Sequence, residues 1–163
     1  MVRSYGEFFA GHLQDPVQIL SRTFSEVDGY DEMIVMTDIR FESHCEHQMV
    51  AIIGNAHVAY PPDHRAVGIS KLARLVDIYA KRLQIHERMT LQIADTLNDM
   101  LQPKGVTVVI EGSHQRMATR GVHKPGVAML TSGMPGAFRS EGSTRREFLA
   151  MIGRTGAGPL SNT

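Results

Sequence analysis

The sequence predicts an α+β fold, an antiparallel sheet with two consecutive helices laid on one face. Three observations point there. Two extended apolar stretches, residues 32–41 and 49–60, come first. Two stretches with apolar residues at helical spacing then follow each other directly. A β-branched run at residues 106–111 comes after them. At 163 residues the chain is long enough for one domain with a real core. We assign that domain to residues 1–152 and read 153–163 as a disordered tail of linker composition.

Each element has its own signal. Residues 4–13 suit a short helix, with Phe8, Phe9 and Leu13 placed to pack and Asp15-Pro16 as its stop. The strand at 32–41 points Ile34, Met36 and Ile39 inward, and the strand at 49–60 ends at Pro61-Pro62-Asp63. Ser70 stands where an N-cap belongs, ahead of the stripe Leu72, Leu75, Val76, Tyr79 and Leu83. The second helix covers 87–101, with Met89, Ile93, Leu97 and Met100 as its stripe and Pro103 and Gly105 as its breakers. After the strand at 106–111 the chain turns near Gly112. An extended run over 114–120 would set His114, Arg116, Ala118 and Arg120 on one side. Residues 127–132 read as another strand and 144–152 as a C-terminal helix. Four strands rarely close alone, so the sheet edges invite subunit pairing.

Bulk composition excludes some functions. Seventeen basic residues balance seventeen acidic ones, which argues against a general nucleic-acid binder. One cysteine cannot form an intramolecular disulfide. No apolar run approaches a membrane span, and the expectation is a cytoplasmic protein. Ten methionines and no tryptophan fit an adaptable core or interface.

The chemistry concentrates at residues 41–49, F-E-S-H-C-E-H-Q-M. This stretch surrounds Cys45 with His44, His47, Glu42 and Glu46, the local grammar of a metal or nucleophile site. Residues 113–120, S-H-Q-R-M-A-T-R, look like its partner. Lys71 and Arg74 share a face at a helix start, where backbone donors and side-chain charge suit phosphates; an ordinary solvated face is the plain alternative.

The stretches C-E-H-Q-M-V, G-I-S-K-L-A-R-L-V-D-I-Y-A-K-R-L-Q, H-E-R-M-T-L-Q-I-A, G-V-T-V-V-I-E-G-S-H-Q-R-M and R-G-V together resemble the GTP cyclohydrolase I family, in order and over residues 8–152. The resemblance implies a tunnelling fold, in which subunits join their sheets into a barrel, usually a toroidal homodecamer with sites between subunits. It implies opening of the GTP imidazole ring at C8, release of formate, and reclosure to dihydroneopterin triphosphate. His47 and His114 match the family's acid/base histidines. Glu87 matches the glutamate that grips the guanine edge, and Ser70, Lys71, Arg74 and Arg120 match the ribose and triphosphate contacts.

Three positions depart from the family. Its zinc ligands fall at Cys45, Gln48 and Arg116, so only the cysteine remains. Glutamine is a poor zinc ligand, and a protonated guanidinium repels a dication. We therefore expect no cofactor. Cys45 is expected to act as a nucleophile or polar contact beside Arg116, whose charge favours a thiolate; related nitrile reductases of the same fold use a cysteine in this way. A rearranged set of Cys45, His47 and His114, or an inert buried thiol, stays open. The family glutamine before Glu87 is His86, which either retunes contact with the base or is a neutral surface change. Gln48 joins the substrate contacts. His44 and His57 read as structural, while His123 and Lys124 are lesser phosphate candidates. The expected function is zinc-independent chemistry on the purine ring of GTP or a related guanine-type nucleotide. An ordinary GTP cyclohydrolase I and a non-catalytic nucleotide binder are the alternatives.

Overall fold

The computed structural model describes residues 2–24, 30, 32–119, 123–124 and 126–155. The chain opens with α1 (Val2–Phe8), a 3-10 turn (Ala10–Leu13) and α2 (Pro16–Leu20). Asp15 does more than stop the first helix. Its carboxylate accepts from the Val17 N–H at 2.9 Å and so caps α2, with Pro16 at the first helical position.

The sheet runs β3-β1-β2-β4-β5. Its strands are β1 (Ile34–Cys45), β2 (Ala51–Tyr60), β3 (Leu83–Gln84), β4 (Thr107–His114) and β5 (Met129–Gly133). The sheet therefore has five strands rather than four. β3 also departs from the antiparallel expectation: it pairs parallel with the end of β1, His44 against Leu83 and Cys45 against Gln84. The leucine read as the end of the first helical stripe, Leu83, belongs to this short strand, because Lys81 already caps the helix.

The two consecutive helices are α3 (Ile69–Ala80) and α4 (His86–Leu101). Gly68, in an extended conformation, is the N-cap of α3, which corrects the placement of Ser70. Ser70 sits inside the first turn with an exposed side chain. Gln102, in the left-handed conformation, closes α4 just before Pro103. Leu72, Leu75, Val76, Met89, Ile93 and Leu97 are all buried against the sheet residues Phe41, Ile52, Val58, Val108 and Ile110. Each such side chain contributes roughly 1.5–3 kcal/mol by leaving water.

The opposite face of the sheet is also covered. Helices α6 (Ala137–Ser140) and α7 (Gly142–Thr155) place Phe138 and Phe148 against Ala59 and Val109, with the two rings 6.0 Å apart and nearly perpendicular. The C-terminal helix thus runs past Ile152 to Thr155, and residues 156–163 of the expected tail lie outside the described residues.

A bulge interrupts β1 between Met36 and Ile39. Asp38 there has a positive φ of 56°, and its N–H donates to His57 Nδ1 at 3.2 Å. His57 is buried and thus holds the bulge. His44 packs on the rings of Phe8 and Phe9, with centroids 4.9 and 5.4 Å away. Gly54 and Gly112 face each other across β2 and β4. A side chain at Gly54 would meet the Glu111 carbonyl at 1.9 Å, so only glycine lets the two strands approach this closely.

Candidate active site

Strands β1 and β4 both pair antiparallel with β2, so they run the same way and end at one edge of the sheet. Cys45 is the last residue of β1 and His114 the last of β4, with Ala51 at the start of β2 between them. This topology brings together two motifs about seventy positions apart in the chain.

The loop between β1 and β2 is built by its backbone. The Cys45 carbonyl accepts from the Gln48 N–H at 3.3 Å and the Met49 N–H at 2.7 Å; the Cys45 N–H donates to the Val50 carbonyl at 2.9 Å. Met49 turns the chain with a φ of 54°, a left-handed conformation that costs a non-glycine residue roughly 1–2 kcal/mol. The Glu46 N–H donates to the Gln84 carbonyl at 2.9 Å, and the Glu46 carboxylate pairs with Arg88 of α4. The loop is therefore fastened to the link between α3 and α4.

A cavity of about 290 Å³ opens at this edge. Cys45, His47, Gln48, His114 and Arg116 line it, together with Val50, Ala51, Met117, Val127 and Met129. All four residues expected to act chemically, Cys45, His47, His114 and Arg116, thus share one wall with Gln48. The larger hollow on the other face, about 1020 Å³ and lined by Asp38, His57, Glu111 and Arg145 among others, contains none of them.

Ser70, Lys71, Arg74 and Glu87 are not among the residues that line the cavity. The run after Gly112 does not turn back as an extended segment. β4 continues to His114, and Gln115–Thr119 form a short helix, α5. This helix, rather than strand alternation, brings Arg116 to the cavity beside His114. Lys71 donates to the Arg22 carbonyl, and Ser70 and Arg74 are exposed at the start of α3; none of the three lines the cavity. Arg120 lies outside the described residues. His123 and Lys124 are exposed.

His86 is not a surface residue. It is the first residue of α4, 1% exposed, and its Nδ1 lies 3.3 Å from His114 Nε2. Burial lowers the pKa of His86, and the charge of His114 lowers it further, against the opposing pull of Glu87 and the Ile110 backbone. Burial also lowers the pKa of His114, again opposed by Glu87. No sequence signal gave this pairing, because it depends on α4 packing behind β4. The apolar wall of Met117, Val127 and Met129 was likewise not anticipated.

These depressed values set a pH dependence of stability. The unfolded chain titrates its histidines near 6.5, above the folded values, and so binds more protons as pH falls. Stability is full above about pH 6.5 and is lost as pH falls through the lower folded values, at up to roughly 1.4 kcal/mol per pH unit for each proton. Urea unfolding at pH 8, 6.5 and 5.5 is expected to show this decline, and His86→Gln to make it shallower. An equally steep decline in that variant would contradict the assignment to the pair.

The zinc implied by the sequence resemblance does not fit the donors present. Cys45 offers one good thiolate, but Gln48 and Arg116 occupy the other two positions on the same wall. Among the described residues, no group of three or more His, Cys, Asp or Glu side chains could hold a metal ion. No helix there is long and apolar enough to cross a membrane.

A five-stranded sheet backed by two helices, with its cavity at the strand ends, defines a tunnelling-fold protein. The archaeosine synthase QueF-Like in its apo form shares this fold with a TM-score of 0.53, at 19% identity over 64% of this chain and 93% of that one. The family model for GTP cyclohydrolase I matches residues 1–153, and the chain belongs to the GTP cyclohydrolase I family. The GTP cyclohydrolase 1 of Hyphomonas neptunium is 49% identical over 155 residues, 95% of this chain and 75% of that relative. That of Maricaulis maris is 46% identical over 154 residues, 94% of this chain and 75% of the relative.

Proposed function

We propose that this chain acts as a GTP cyclohydrolase, binding GTP or a closely related guanine-type nucleotide and opening its purine ring. The observation that carries this reading is the convergence of His47 and His114 on one cavity in a member of this family. Two imidazoles on one cavity suit proton transfer to and from ring nitrogens. The cavity stands at the lower end of the roughly 300–1,000 Å³ usual for small-molecule sites, which suits a base more than a whole nucleoside triphosphate. Glu87, exposed one residue beyond His86 and outside the cavity lining, takes the guanine edge in this reading. Ser70, Lys71, Arg74 and Arg120 serve the ribose and triphosphate. The first three stand apart from the cavity, so a second copy of the chain supplies them in a homo-oligomer, a homodecamer on the family pattern. A cytoplasmic setting agrees with a nucleotide substrate.

A second reading rests on the donor set. With Gln48 and Arg116 beside Cys45, the reaction on the purine ring proceeds without the family's zinc and yields a different product. Cys45 then acts as the nucleophile or as a polar contact.

Incubation of the full chain with GTP separates the two readings. Formate release and a fluorescent pterin after oxidation are expected for the first. A new product of different mass, without formate, would replace it with the second. A thermal shift with GTP left intact would overturn both in favour of a nucleotide-binding protein.

A further inference from the structure

His86 has no direct access to the cavity, yet the site is built around it. It is 1% exposed and lies behind His114, with Nδ1 of one ring 3.3 Å from Nε2 of the other and the ring centroids 5.5 Å apart. The sheet makes room for it. A Cβ at Gly112 would stand 2.9 Å from His86 Cε1, so the glycine of β4 is the recess that admits the ring. A buried imidazole beside the cavity's own histidine carries a consequence for which nitrogen does the chemistry, because a hydrogen bond at one ring nitrogen sets the protonation of the other.

We propose that His86 is the positioning residue of His114: its Nδ1 accepts a hydrogen bond from His114 Nε2–H, which leaves Nδ1 of His114 to exchange a proton with a purine ring in the cavity.

The direction of this bond follows from the surroundings. His86 Nε2 is fully buried and has no well-aligned partner among the described residues. Burial disfavours a charge on the His86 ring, so it keeps a single ring proton, and the hydrogen bond with the Ile110 backbone favours an N–H on that ring. A ring that keeps its own proton at Nε2 presents a lone pair at Nδ1. His114 Nε2 must then be the donor. The neutral His114 ring has a bare Nδ1, and uptake of a proton there gives an imidazolium whose Nε2–H still points to neutral His86. Release of that proton restores the starting pair. Two rings this close do not both carry charge, so the pair takes up at most one proton beyond the two of its neutral rings, and the cavity-lining ring takes it at Nδ1.

The catalytic meaning of this arrangement rests on the function proposed above, but the tautomer does not, and the test reads the two separately. The full chain, labelled with 15N at histidine, would be studied by solid-state 15N spectroscopy, which assembly size does not limit. His114 would be assigned by the signal lost in His114→Gln. The neutral Nε2–H form is expected for His114 in the native chain and in His86→Gln, whose amide oxygen can also accept. In His86→Leu that preference is expected to disappear. With GTP, His86→Leu is expected to lower kcat by roughly tenfold or more with KM within about twofold, and His86→Gln to retain most turnover. A native His114 in the Nδ1–H form overturns the proposal. So does an unchanged Nε2–H form in folded His86→Leu, whatever its kcat. Absence of any GTP turnover overturns the proposed function and leaves the spectroscopic result standing.

Discussion

Changing Gln48 to histidine and Arg116 to cysteine together is expected to yield protein that retains about one zinc ion per chain after dialysis, where the unaltered chain retains far less. The reason lies in the donors. Cys45, Gln48 and Arg116 line one cavity, and a catalytic zinc takes three protein ligands with a fourth position left for water. The double variant supplies a thiolate, an imidazole and a second thiolate, and it removes the guanidinium that repels the ion. Each single change leaves only two good donors and is expected to remain near the unaltered level. Elemental analysis by mass spectrometry reads all four proteins. Stoichiometric zinc in the unaltered chain, lost on Cys45→Ala, would show that the present residues hold the metal after all.

The second large effect concerns His114. Its replacement by alanine is expected to lower kcat on GTP by about 10²–10⁴-fold, the usual loss when a general acid or base is removed. The same change strips His86 of its partner and leaves a buried nitrogen bare, at a cost of roughly 1–3 kcal/mol. His114→Gln separates the two effects. The amide can still meet His86 but cannot carry a proton at neutral pH, so stability is expected to recover while turnover stays low. Steady-state kinetics and urea unfolding on the same preparations check both halves. Turnover within a few-fold of the unaltered chain in either variant would remove His114 from the chemistry.

Much of this architecture was legible in the chain. Leu72, Leu75, Val76 and Tyr79 recur at helical spacing, and Pro103 marks where α4 must stop; local pattern and local breaker agree at both places. The motif around Cys45 and the histidine at 114 were visible as separate clusters. What joined them was strand direction, since two strands paired to a common neighbour end together. The misread segments are those where tertiary contact outweighs local preference. Residues 115–119 alternate well enough for a strand, yet they wind into a helical turn once β4 ends at the cavity edge. Leu83 fitted a helical stripe, but it pairs with His44 in β3. Ser70 looked like a cap, whereas the extended Gly68 two residues earlier begins the turn. His86 was the least accessible to pattern reading. Its burial depends on Gly112, a residue twenty-six positions away whose role is to have no side chain.

The loop from Cys45 to Val50 holds its shape through main-chain bonds and through its tie to Gln84. None of those bonds uses the side chains of His47 or Gln48. A lineage could therefore exchange the groups that face the cavity while the wall itself stayed in place. The reactive repertoire of this fold can drift without first passing through an unfolded intermediate.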